Sequence, residues 1–131
     1  VITVTEDGWP HQAMISLGEL LALPPRTLRL AIWSTSTTAR NLRRDCRCAL
    51  MLILEGKSYV LRCTARPLGA LAQPEGPLLQ VFHLDLSDVL VDEAPYATLT
   101  SGIRFTLHDT DETLARWEQT VARLRGDQAE H

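Results

Sequence analysis

The sequence predicts a mainly β protein whose strands close into a small antiparallel barrel. Three observations carry that expectation. Short runs of alternating or wholly apolar residues, rich in Val, Ile, Thr and aromatics, recur along the 131-residue chain. Tight-turn signals separate them at Asp7-Gly8, Pro24-Pro25 and Glu55-Gly56-Lys57, and strands joined by tight turns pair antiparallel. Only one long stretch, near the C-terminus, repeats its apolar residues at helical spacing. An antiparallel sheet of this size usually removes its edges by closing. The length predicts one domain, residues 1–131.

The elements follow in order. Val1 to Thr5 alternates and is β-branched, so it reads as a first strand, with Asp7-Gly8 as its hairpin turn. "HQAMISL" reads as the second strand, with Ala13, Ile15 and Leu17 on one face and Gln12, Met14 and Ser16 on the other. "TLRLAIW" is the third, with Leu28, Leu30 and Ile32 on one face. A hydroxyl run then leads into a helix of two turns, Thr38 to Asp45. "CRCALMLIL" is nearly all apolar and predicts a central strand covered on both faces. "SYVLRCTAR" returns from the Gly56 turn. Residues 67–77 read as a connection with a helical turn at "LGALA". "LLQVFHLDLSDVLV" predicts one long strand or two in succession, and "YATLTSGIRFTL" a strand pair or a bent strand. The count is roughly seven strands and two short helices.

The last helix has the clearest signature. Asp109 or Thr110 caps it, Asp111 and Glu112 sit in its first turn, and Arg123 and Arg125 precede Gly126, which reads as its stop. Leu114, Trp117, Val121 and Leu124 form one apolar stripe for packing on the barrel or on a partner subunit.

Composition narrows the function classes. Hydrophobic residues make up 45% and charged residues 22%, which is ordinary globular usage. The net charge of −3 lacks the basic excess of a nucleic-acid module. The longest apolar run, Ala49 to Leu54, is too short to span a membrane. Cys46, Cys48 and Cys63 are three, an odd number, and C-x-C alone is a poor zinc signal, so they read as reduced, mostly buried residues of a cytoplasmic protein. His11, His83, His108 and His131 show no metal-ligand spacing. No nucleophile elbow, P-loop or dinucleotide fingerprint is present.

One stretch stands apart. "WSTSTTARNLRRD" places five hydroxyl residues, Ser34 to Thr38, between a strand and a basic helix. One such residue suffices as an N-cap. A helix N-terminus also offers free N–H groups and a partial positive charge, which suit an anion such as phosphate. Arg40, Arg43 and Arg44 add charge nearby.

The segments "TVTEDGWPHQAMISL", "RTLRLAIWSTSTTARNLRRDCRCALMLI" and "SYVLRCTARPL", followed by "YATLTSGIRFTL" and the closing helix, occur in an order that resembles the pyridoxamine 5'-phosphate oxidase-like family of FMN-binding split barrels. The resemblance spans nearly the whole chain and rests on the order of parts. It implies a Greek-key split β-barrel that binds FMN at a homodimer interface and passes hydride or electrons through it. By position it implies Ser36, Thr37 and Thr38 as phosphate ligands, with Ser34 and Asn41 beside them. It further implies Met14, Ile15, Ser16, Ile32 and Trp33 along the flavin ring, and Arg62 as an additional contact. The oxidases proper carry an Arg-Lys pair where this chain has Thr37-Thr38, and their C-terminal substrate segment has no counterpart here, so vitamin B6 activity is not carried over. The alternatives are a deazaflavin (F420) split barrel, a haem-binding one using His11, His83 or His108, and a non-catalytic flavin-binding module.

Overall fold

The computed structural model describes residues 1–130, and the side chains of residues 1–126. The chain forms β1 (Ile2–Val4), β2 (Pro10–Gln12), β3 (Leu20–Leu23), β4 (Thr27–Trp33), α1 (Thr37–Arg44), β5 (Arg47–Leu54), β6 (Lys57–Leu71), β7 (Leu79–Asp92) and α2 (Thr110–Glu130). The strands make one seven-stranded sheet in the order β2-β1-β5-β6-β7-β4-β3. Every neighbouring pair is antiparallel, as the tight turns predict. Among the described residues no ladder joins β2 to β3, so the sheet is open and the expected barrel is not closed by hydrogen bonds.

The sheet nevertheless curls around one core. Leu28, Leu30 and Ile32 of β4 meet Leu50 of β5, Phe82 and Leu84 of β7, and Ala39 and Leu42 of α1. The face assigned to "TLRLAIW" from its alternation is therefore the core face. Helix α1 bridges β1 and β4: Asn41 Nδ2 donates to Thr3 Oγ1 over 2.9 Å, and both residues are buried. A second cluster lies on the other face, where Leu21, Ala31, Leu71, Leu79 and Val81 pack beneath Leu124 of α2. Arg29 adds a tether, its buried Nη1 donating to the Leu124 carbonyl over 2.8 Å. Trp117 lies against Gly18, where an added Cβ would come within 1.9 Å of the indole. The stripe predicted for α2 thus packs through Trp117, Val121 and Leu124, while Leu114 is exposed.

Several expectations need correction. The second strand is only Pro10–Gln12, and residues 13–17 are not strand; Met14 is 67% and Leu17 85% exposed, so their alternation does not mark a sheet face. Leu20–Leu23 is an extra strand on the sheet edge, which puts the short helix after the fourth strand rather than the third. "LGALA" continues β6 through Leu71 instead of turning helically. There β6 has run past β5, whose pairing stops at Thr64, and on that free edge Pro67 sacrifices no ladder donor. "YATLTSGIRFTL" forms no strand: it pairs with none of the seven, and its Leu99 N–H donates to the Gly56 carbonyl of the β5–β6 turn. The last helix is not short and does not stop at Gly126 but runs to Glu130. Strand β5 is central, but it is not covered on both faces within this chain: Met51, Leu52 and Leu54 are exposed. Of the three cysteines, all free, Cys48 and Cys63 are buried and Cys46 is exposed. No helix among the described residues is long and apolar enough to cross a membrane.

Candidate functional site

The hydroxyl run does cap a helix. Ser36 is the N-cap of α1, with extended backbone, and its Oγ accepts the Ala39 N–H over 3.1 Å. That bond satisfies one first-turn donor; the N–H groups of Thr37 and Thr38 have no i−4 partner within the helix. No acidic residue occupies the first turn. Two guanidiniums bracket the turn: Arg40 Nη2 donates to Thr37 Oγ1 over 3.2 Å, and Arg43 Nη2 donates to the Ser34 carbonyl over 2.9 Å. Arg44 turns away and donates to the Val4 carbonyl and to Asn41 Oδ1. The end of α1 is therefore a positively biased donor surface, as an anion site requires.

A cavity of about 240 Å³ opens beside it. Met14, Ile15, Ile32, Trp33, Ser36 and Thr38 line it, with Val1, Ala13 and Glu19. Ile32 is buried and forms part of the floor, while Trp33, 60% exposed, stands at the rim. The cavity thus combines an apolar wall with a hydroxyl-bearing helix end, the usual make-up of a small-molecule site. Met14 and Ile15 also border a neighbouring hollow of about 210 Å³ that reaches Met51, Ile103 and Phe105.

Six of the eleven residues singled out from the sequence therefore converge on one cavity. Ser16 follows Ile15 in the chain but does not line the cavity; its Oγ is buried, and its N–H donates to Glu19 Oε2 over 2.8 Å. Thr37 and Ser34 belong to the same turn but do not line the cavity; Thr37 Oγ1 accepts from Arg40, and the Ser34 backbone accepts from Arg43 and donates to the Leu78 carbonyl. Asn41 is held in the core by Thr3 and is a structural residue. Arg62 is elsewhere: it borders a separate hollow of about 420 Å³ with Arg47, Ile2 and Ser87. None of His11, His83 and His108 lines the cavity, and His131 lies outside the described residues.

Glu19 was not singled out by the sequence reading. It sits between the cavity and an adjoining one of about 160 Å³ formed with Arg116 and Trp117 of α2. Burial pushes its carboxyl above the ordinary range, against the lowering effect of the Ser16 N–H and of Arg116. A lone acid among apolar residues in "SLGELL" is a weak hint of such a position, and only the fold brings it to Trp33.

Over 123 residues the chain is 38% identical to an uncharacterized protein, YclD, of Bacillus subtilis (strain 168), with 94% of this chain and 79% of the relative covered. No family model matches the sequence.

Proposed function

We propose that this chain, which belongs to the same family as the Bacillus subtilis protein YclD, is an FMN-binding flavoprotein of the split-barrel type that holds its cofactor between two copies of itself. The observation that carries this reading is the convergence of Met14, Ile15, Ile32, Trp33, Ser36 and Thr38 on one cavity at the start of α1. The residues fit the group. The first-turn N–H groups and the Ser36 and Thr38 hydroxyls suit the phosphate. Met14 and Trp33 supply apolar cover.

Magnitude favours a shared site. Pockets that enclose a ligand of this size run from about 300 to about 1,000 Å³, and the cavity offers about 240 Å³. The exposed apolar side chains on one face of the sheet, Leu52 and Leu54 of β5 with Val89 and Val91 of β7, are what a second copy would cover. Flavin, when bound, supplies the redox chemistry. The chain's own residues orient it, exclude water and, through Glu19, place a protonatable carboxyl beside it. Oxidoreductase activity is part of the proposal; a non-catalytic flavin module shares the same cofactor. A haem in this cavity would find no histidine among the residues that line it.

The test is reconstitution. The purified protein is incubated with FMN, freed of unbound dye by gel filtration and read by visible absorbance. Retained flavin bands support the reading, and NAD(P)H then separates an oxidoreductase, which bleaches them, from a passive binder. A colourless eluate, or equal retention of a deazaflavin in competition, contradicts FMN as the cofactor.

A further inference from the structure

Cys48 of β5 and Cys63 of β6 are directly opposed across the antiparallel ladder. Both belong to the same core cluster, at 7% and 4% exposure. Opposed residues in such a ladder place their Cβ atoms about 4.5–5.5 Å apart, and a disulfide needs about 3.5–4.5 Å. The pair is therefore about one ångström from bonding distance. The β6–β7 register shifts between Arg62 and Cys63, so β6 is released from strict pairing with β7 at the cysteine that would have to move. The two side chains also act on each other. The nearness of the two thiols holds Cys63 below its ordinary range and, reinforced by burial, pushes Cys48 up, while the Cys63 thiol donates to the Leu61 carbonyl over 3.8 Å. Cys63 is thus the nucleophile, and Cys48 keeps the proton.

We propose that Cys48 and Cys63 form a redox-active dithiol that exchanges with low-molecular-weight disulfides and closes to a cross-strand disulfide. The Cys63 thiolate attacks one sulfur of the small disulfide, forming a mixed disulfide and expelling the first thiolate. Cys48 gives its proton to that thiolate and attacks the Cys63 sulfur, and the second small thiolate leaves and takes up from water the proton that Cys63 released on ionising. Two protein thiols are oxidised and one small disulfide is reduced to two thiols. Ile15 and Ile32, which border the candidate cavity, pack with this pair in one core, so closing it tightens the wall behind the site. The proposal stands whether or not flavin binds.

The experiment uses the reduced, native protein with bis(hydroxyethyl) disulfide as the probe, then iodoacetamide in denaturant and peptide mapping. The expected product is a Cys48–Cys63 linked peptide lacking two hydrogens, with Cys46 outside the linkage. Cys46→Ser gives the same product. Cys48→Ser accumulates the mixed disulfide on Cys63. The decisive reading is made on the unmodified chain, so it survives a variant that fails to fold. If Cys48 and Cys63 are both recovered alkylated while Cys46 has been fully derivatised, or if the linkage runs to Cys46, the proposal is wrong.

Discussion

Replacing Ser36 by Asp separates the two roles of the hydroxyl turn. Asp is as good an N-cap as Ser, and a carboxylate at this position suits the helix dipole. The Ala39 N–H that bonds Ser36 Oγ keeps an acceptor. The fold should therefore melt within a few degrees of the parent. A phosphate bound at the same helix end would instead meet a like charge. Two unit charges about 4 Å apart at an effective dielectric constant of about 20 repel by about 4 kcal/mol. Ser36 is half-buried, so solvent screening lowers this to about 2–4 kcal/mol, or about 30- to 1,000-fold in affinity. The assay is quenching of flavin fluorescence, titrated in parallel with FMN and with riboflavin, which has no phosphate. FMN affinity should fall by that factor and riboflavin affinity should hold. Equal FMN binding by Ser36→Asp and the parent, or equal loss of both ligands, would refute the placement of the phosphate.

Three further outcomes follow from the same structure. Asn41→Leu leaves the buried Thr3 hydroxyl unpaired and should cost about 1–3 kcal/mol in denaturant unfolding; adding Thr3→Val should recover most of it, because both partners are then apolar. Gly18→Ala puts a methyl 1.9 Å from Trp117 Cγ, so α2 must shift, at about 1–3 kcal/mol, with a change in tryptophan fluorescence; an unchanged melt would mean that Trp117 does not pack there. Burial raises the folded-state value of Glu19 above its unfolded value near 4.5, so the associated stability is complete below that value and is lost as pH rises through the folded one. Melts of Glu19→Gln compared with the parent from about pH 4 to about pH 7 should lack that decline.

What was legible in the sequence had local causes. Strand β4 reads from the alternation of Leu28, Leu30 and Ile32, and its predicted limits match Thr27–Trp33. Helix α1 reads from its Ser/Thr cap, within one residue at each end. The β5–β6 hairpin reads from Glu55-Gly56, both residues having positive φ. The misreadings arise where tertiary pairing decides. Ala13 to Leu17 alternates like a strand, but of these residues Ala13 alone extends the β1–β2 ladder, its N–H donating to the Val1 carbonyl and its carbonyl accepting from the Val1 amino group. Residues 96–107 are β-prone but join neither edge of the sheet. The site was legible through the hydroxyl turn; Glu19 was not, because its meaning depends on burial between β4 and α2. The exposure of β5 was illegible for the opposite reason: an all-apolar strand looks the same whether its cover comes from its own chain or from a second copy.

The central claim is that flavin is held between two copies of this chain. Sedimentation velocity followed in the visible flavin band tests it directly, because it weighs only the species that carry the dye. The account predicts one FMN per protomer, sedimenting at twice the 14.6 kDa chain mass. Flavin that sediments with the single chain, or stays behind as free dye, would contradict it.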